Sequence, residues 1–495
     1  MEYCRPLNMQ MRVFMADKAA ALHRKLKARH LSMIAIGGSI GTGLFVASGN
    51  AIYHAGPGGA LLAYAIIGIM VYFLMTSLGE MSTLMPATGT FCEYSERFVD
   101  PAFGFSMSYN YWFNWAITVA AELSAAAFLM KFWFPHTPFL LWSAIFFFVI
   151  LGLNVFSVRF YGEAEYWLSS IKVIAVIVFI IFGILIITGV HGSKPLDFQN
   201  WTIGDAPFHG GWLAIIGVFM VAGFSFQGTE LVGVAAGEVK DPRTSVPKAI
   251  KQVFWRILLF YILAIAVISF IIPYTDPRLI HASTNDLALS PFTIVFKRFG
   301  LPFTASIMNA IILIAVLSAC NASMYSSTRI FWHMAKKKHA PQYFTHINRH
   351  GVPLRALLIT AIFGCLVFLS SIFGNGQVFI WLVNISSLSG FVAWLGIAIS
   401  HYRFRKAYLL QGKKLSDLPY RAKLFPFGPI FAFILCLFII LGQEYEMFLS
   451  GHFHLLNFLA TYIGVLTFLI LWIAYKAIKK TKVIPLNECD FEHKI

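Results

Sequence analysis

Residues 30–49 read HLSMIAIGGSIGTGLFVASG, twenty positions with no Lys, Arg, Asp or Glu and with Gly37, Gly38, Gly41, Gly43 and Gly49. An uncharged apolar run of that length suits the hydrocarbon core of a bilayer. Each glycine inside a helix costs about 1 kcal/mol relative to Ala, so a plain buried helix gains nothing from them. Two readings account for the glycines. Small residues let membrane helices approach closely. Alternatively the helix unwinds over Gly38 to Gly43, GSIGTG, and presents bare amides and the positive end of a half-helix. A carboxylate is what such an end accepts, and Ser39 and Thr42 add hydroxyl donors. A dinucleotide or phosphate loop is set aside, because a phosphate loop carries a Lys before its Ser or Thr and a dinucleotide fingerprint follows a strand.

The same uncharged character runs through the chain. Of 495 residues, 58% are apolar and 12% charged, against about a quarter charged in soluble proteins. Twelve stretches are long and apolar enough to span: 31–51, 58–79, 105–130, 139–158, 165–189, 212–236, 252–272, 304–328, 354–374, 377–400, 425–445 and 454–475. Hydrocarbon admits only helices or closed barrels, and continuous apolarity without alternation selects helices. The expected fold is therefore all-α and polytopic. The basic first 30 residues lack a cleavable signal pattern, so the first run is read as retained.

Charge placement orients the spans. Seven Lys or Arg precede the first, and further clusters fall at 240–251, 336–355 and 403–423. The opposite loops hold only Lys131, Lys194, Arg278, Lys297 and Arg298. That asymmetry places both termini in the cytoplasm. It also explains the net charge of +16 without nucleic acid, since no basic cluster is interleaved with stacking aromatics. Six cysteines without ligand-like spacing suggest neither a zinc site nor a disulfide framework. No HExxH helix or nucleophile elbow marks an enzyme, and no cofactor is called for.

A second interrupted span reads GFSFQGTE over 223–230, with Gly223, Gly228 and Gly233 punctuating it. An ionised carboxylate at Glu230 must be paired, hydrated or employed. Breaks in spans one and six suggest two repeats of five helices in opposed orientation, the architecture of an alternating-access carrier. Residues 31–400 would form that core, with 1–30 a cytoplasmic segment, 401–424 a cytoplasmic loop, 425–475 two further helices and 476–495 a tail. The first break can hold an α-carboxylate and Glu230 a cation, which together describe a zwitterionic or cationic amine. Glu122 and Glu238 are further intramembrane carboxylates, and Glu122, whose neighbours leave it little water, is a candidate to line the cavity and bind substrate. Glu80, Glu163 and Glu165, at span ends, are expected to serve as interface or capping residues. Lys172 either snorkels to the cytoplasmic surface or lies buried and exchanges a proton. Phe224 and Phe226 either gate the site around Ser225 or are core. Asn110 and Asn114, spaced i, i+4, suit helix–helix bonding or substrate contact.

These residues resemble a family. LKARHLSMIAIGGSIGTGLFVASG (26–49), GPGGALLAY (56–64), MTSLGEM (75–81), GFSFQGTELVGVAAGE (223–238), LSACNASMYSSTR (317–329), GVPLRALL (351–358) and WLGIAISHYRFR (394–405) resemble the bacterial amino acid permeases of the amino acid–polyamine–organocation superfamily, its lysine-specific branch most closely. The resemblance implies twelve spans with a ten-helix inverted-repeat core in the bacterial inner membrane. It implies import of L-lysine with H+ as partner, in contact with membrane lipid. It assigns Gly37 to Gly43 to the substrate carboxylate, Glu230 to the substrate or its gate, and Lys172 to proton coupling. Arginine, histidine or aromatic amino acids as substrate, exchange in place of symport, and a lysine sensor with a regulatory membrane partner are the rival expectations. The sequence is silent on oligomeric state.

Overall fold

The structure, a computed structural model, describes residues 40–86, 90–156, 158–190, 195–236, 241–280, 290–348, 351–445, 447 and 455–491. Among the described residues all regular elements are helical. A π-helical turn, Gly43–Ala47, leads into α1 (Ser48–Leu84), which bends at Gly56. Then come α2 (Thr90–Phe98), α3 (Pro101–Met130), α4 (Phe139–Phe156) and α5 (Val158–Ile187). The sixth span is divided into α6 (Gly211–Phe226) and α7 (Leu231–Ala236). It is followed by α8 (Pro242–Arg256), a π-helical segment (Ile257–Leu263) and α9 (Ala264–Ile271). The remainder comprises α10 (Pro291–Arg298), α11 (Pro302–Lys336), α12 (Leu354–Gly364), α13 (Asn375–Leu410), α14 (Phe427–Gly442) and α15 (Leu455–Lys479).

Among the described residues, eight helical segments are long and apolar enough to cross a membrane, and three shorter apolar helices accompany them. The chain is a multi-pass membrane protein. The first of the eight, Gly43–Leu84, carries two of the apolar stretches read from the sequence, with its bend between them. That bend is tied down from outside: the Gly58 and Gly59 amides both donate to Pro207 O, at 2.8 and 3.2 Å. Helix α3 lies at the centre, packed along α11, α13 and α15, while α1 packs along α6. Ile174, Val178 and Ile181 on α5 stand exposed. Apolar side chains facing outward are what a lipid-bathed surface requires.

Two charged contacts fasten the ends of the bundle. Glu80, expected as an interface or capping residue, is instead wholly buried. Its carboxylate receives Arg405 Nε at 2.6 Å and Arg405 Nη2, accepts the Ala422 amide at 2.7 Å, and lies 3.3 Å from His401 Nε2. Helix α1, helix α13 and the segment that follows α13 thus share one anion. Asp100 caps α3, accepting from the Ala102 amide at 2.9 Å, and pairs with Lys476 at 2.6 Å. Burial raises the Asp100 pKa, yet the Lys476 ammonium and the Ala102 amide outweigh it and hold it below the usual value.

Breaking a buried ion pair by neutralising one partner costs about 3–5 kcal/mol. Glu80→Gln is therefore expected to lower the melting temperature in detergent sharply, and a Glu80→Leu/Arg405→Leu double variant to recover part of the loss. Because Asp100 has a depressed folded pKa, its contribution is complete above about pH 4 and is lost as pH falls through the folded value. Hydrogen exchange at the Ile484 amide, which donates to Val99 O beside Asp100, should stay flat from pH 7 to pH 5 after correction for intrinsic rate, and rise in Asp100→Asn.

Candidate functional site

The first span begins, in the described residues, at Ile40; Gly38 and Ser39 lie outside them, as does Glu238. Ile40 is not helical, Gly41 bends, and helix starts at Thr42. The Gly43–Ala47 turn is wound as a π-helix rather than an α-helix, a departure frequent at functional sites. Gly43 lies so close to the backbone of Ser225 that a Cβ would overlap the Ser225 Cα. Only glycine lets the two interrupted spans touch. At Gly41 a Cβ would stand 3.0 Å from Ala319 Cβ and 3.1 Å from Glu122 Oε1. Thr42 Oγ1 donates to Glu122 Oε2 at 2.6 Å. The carboxylate that meets the first break is thus Glu122, buried on α3.

The sixth span stops being helical after Phe226. Gln227 takes φ −58° and ψ 146°, and Gly228 takes φ +91°, a region that side-chain-bearing residues rarely adopt. The last four carbonyls of α6 all find donors. The Gln227 amide reaches Gly223 O at 3.2 Å and Phe224 O at 3.3 Å; Tyr261 OH donates to Ser225 O at 2.7 Å; the Thr229 hydroxyl donates to Phe226 O at 3.0 Å. The Glu230 carboxylate, buried, accepts from the Gly228 amide at 3.1 and 3.2 Å, from Tyr111 OH at 3.4 Å and from Trp394 Nε1 at 3.3 Å. Glu230 therefore braces its own break.

Ser225 Oγ hydrogen-bonds the Tyr64 hydroxyl at 2.9 Å. Phe226 packs against Tyr261 and Tyr64, with ring centroids 4.3 and 5.9 Å away. Phe224 and Phe226 are both buried.

Lys172 does not snorkel. Its side chain is fully buried, and Nζ lies 3.6 Å from Glu165 Oε1. Glu165, expected to cap or face the interface, is buried as well, because Ser169 and Ser318 donate to it at 3.1 and 2.9 Å. The side chain of Glu163 is outside what the structure describes.

Sequence reasoning missed the serine tract of α13. Ser386 donates to Asn114 Oδ1 at 2.9 Å and shares a hydrogen bond with Thr118 at 2.7 Å; the Gln227 side chain donates through Nε2 to Ser386 O at 3.0 Å. Asn110 Nδ2 donates to Ser389 O at 2.8 Å. Asn110 Oδ1, Asn114 Nδ2 and Ser389 Oγ remain buried without a protein partner. The run SSLSG at 386–390, inside an otherwise apolar span, was the available signal.

The start of the first span as described and the interrupted sixth span are thus in contact inside the bundle, with Glu122 and Glu230 buried beside them. The family described as Amino acid permease matches residues 30–487. The chain belongs to that family. It is a transporter rather than an enzyme. It is 57% identical over 475 residues to the lysine-specific permease LysP of Escherichia coli (strain K12), covering 96% of this chain and 97% of that protein. It is 51% identical over 473 residues to the lysine-specific permease LysP of Lactococcus lactis subsp. cremoris (strain MG1363), covering 94% and 92%, and 50% identical over 468 residues to the histidine permease HisP of the same strain, covering 94% and 97%. Among solved structures, the Eremococcus coleocola manganese transporter superposes with a TM-score of 0.53 at 15% identity, covering 91% of this chain and 94% of that one. At that identity the likeness is one of fold alone.

The Gly43–Ser225 contact has a direct test. Overpacking of this kind costs about 1–3 kcal/mol, so Gly43→Ala is expected to lower the melting temperature of the purified permease and to cut uptake about tenfold, with insertion followed by a fluorescent fusion. Gly217→Ala, where a Cβ meets nothing within 4 Å, is the control expected to change neither.

Proposed function

We propose that this permease imports L-lysine together with a proton by alternating access. One observation carries the reading: the buried Glu122 carboxylate meets the first span where its described helix starts, accepting from Thr42 Oγ1 at 2.6 Å, while the Lys172 ammonium lies buried on α5 beside Glu165. The identity to two proteins named lysine-specific permease supports lysine as the substrate. In this reading the chain crosses a bacterial inner membrane twelve times, with both termini cytoplasmic and lipid around it. Residues 31–400 form an inverted-repeat core of five plus five helices.

The substrate carboxylate docks on the amides and hydroxyls of Gly38, Ser39, Gly41, Thr42 and Gly43. The substrate ammonium groups are taken by Glu122 and Glu230, with Asn110 Oδ1 a further acceptor. Phe224, Ser225 and Phe226 line one wall. Without Lys172, a charged Glu122 beside the first break would repel the incoming carboxylate, so the lysine on α5 is what lets both anions share the chamber. Spans one and six, locked together at Gly43 and Ser225, rock as a pair. A lysine cation and a proton together carry two charges, gaining about 4.6 kcal/mol per 100 mV of membrane potential. That is enough for steep accumulation.

A second reading, histidine import, rests on the comparable identity to the histidine permease and on the aromatic neighbours Tyr111 and Trp394 around Glu230. The deciding experiment is uptake of labelled lysine into proteoliposomes under an imposed proton gradient, with unlabelled amino acids as competitors. Lysine is expected to compete at the lowest concentration, and Glu230→Gln to reduce uptake about 100-fold or more, since it removes a buried charge from the chamber. Stronger competition by histidine would transfer the assignment to the second reading, and full uptake by Glu230→Gln would remove Glu230 from the site.

A further inference from the structure

Glu165 and Lys172 stand seven residues apart on α5, a separation of about 10.5 Å along the axis and nearly two full turns, so both lie on one stripe of the helix. Side chains on a helix lean toward its N-terminus, and the lysine arm reaches back along that stripe to bring Nζ within 3.6 Å of Glu165 Oε1. Both side chains are buried. The carboxylate is held for this contact from two helices: Ser169 on α5 donates to Oε1 and Ser318 on α11 donates to Oε2. Among the described residues, the groups bonded to Glu165 are Ser169 on its own helix and Ser318 on α11. Lys172 thus has a carboxylate 3.6 Å away that lies nearer the N-terminal end of α5, the end that the charge asymmetry of the loops assigns to the cytoplasm.

We propose that Glu165 is the proton acceptor for Lys172, the cytoplasmic station of the proton path; the proposal rests on the proton-coupled reading above. The step is a simple transfer. The N–H bond of the Lys172 ammonium breaks, its electron pair stays on nitrogen, and the proton forms an O–H bond on Glu165, leaving a neutral amine and a neutral carboxylic acid. A second transfer, to water on the cytoplasmic side, returns Glu165 to its carboxylate. At 3.6 Å the pair is longer than a charge-assisted hydrogen bond of about 2.7–2.9 Å. The gap closes only if the carboxylate or the lysine arm shifts. Ser318 ties the carboxylate to α11, so a displacement of α11 against α5 sets that distance. Proton release is thereby linked to helix movement rather than left free-running.

The test compares wild type, Glu165→Gln and Glu165→Asp in proteoliposomes, reading protons moved per labelled lysine with an internal pH dye. Glu165→Gln is expected to lower that ratio about tenfold or more, the size of effect a lost proton acceptor produces, and Glu165→Asp to restore part of it. An unchanged ratio in Glu165→Gln overturns the relay. A proportional fall of proton and lysine flux in both variants also overturns it, because a packing role moves both together. Lysine uptake by the wild type without any proton movement sinks the coupling reading instead, a result distinguishable from the other two.

Discussion

A peptide group left bare in hydrocarbon costs several kcal/mol, so a helix can be interrupted inside a membrane only where something else completes its hydrogen bonds. The sixth span meets that requirement from within the protein. Tyr261, Thr229 and the Gln227 amide take the carbonyls of α6, and the Glu230 carboxylate takes the Gly228 amide. These four residues come from the break itself and from the segment after it, so the interruption is a built structure rather than a fault in the helix. Gln227 then carries the requirement outward to Ser386 on α13, and Ser386 to Asn114 on α3. One broken span thus recruits a polar seam through three elements.

The charges follow from the same constraint. Besides the Glu80 cluster, four ionisable side chains, Glu122, Glu165, Lys172 and Glu230, are buried around α3, α5 and the sixth span, and each is met by a specific donor or counter-charge. Burying a carboxylate is tolerable when several hydrogen bonds reach it. Glu165 has two serines and an ammonium; Glu122 has Thr42; Glu230 has an amide, a phenol and an indole. Glu122 and Glu230 are held in these contacts by neutral donors. In the proposed cycle they are accordingly the two with most to gain from the substrate's charge.

The membrane fold was legible because hydropathy is a local property that sums along twenty residues. The sixth-span break was legible for a related reason, since an unbroken helix in hydrocarbon has no use for three glycines and a charge in one short apolar run. Partnerships between distant residues were not. Glu80 reads as a span-end carboxylate until Arg405 and His401, more than 300 positions later, fold back against it. Glu165 reads as a cap because it opens a span; its partners are Ser169 and Lys172 on its own helix and Ser318 on another. The serines of α13 were invisible because three hydroxyls hardly alter the mean hydropathy of a long apolar helix, although they bind both Gln227 and Asn114. For Lys172, burial rules out the snorkelling that the sequence allowed.

What distinguishes the two breaks is the direction in which each is closed. The second is completed by its own residues and by α3 and α13, so it is rigid toward that side. The first, in its described part, is closed by contact with Glu122, Ala319 and the backbone of Ser225. The Gly43–Ser225 contact admits no side chain between the spans, so neither half-helix can slide without carrying the other. The Thr42–Glu122 bond, by contrast, is a single hydrogen bond to a group that a substrate ammonium or the Lys172 ammonium can equally well satisfy. In the proposed cycle, a movement that keeps the first contact and exchanges partners at the second exposes no peptide group and leaves no carboxylate unmet. Of the glycines in residues 30–49, Gly43 is therefore the one whose missing side chain joins the first span to the sixth.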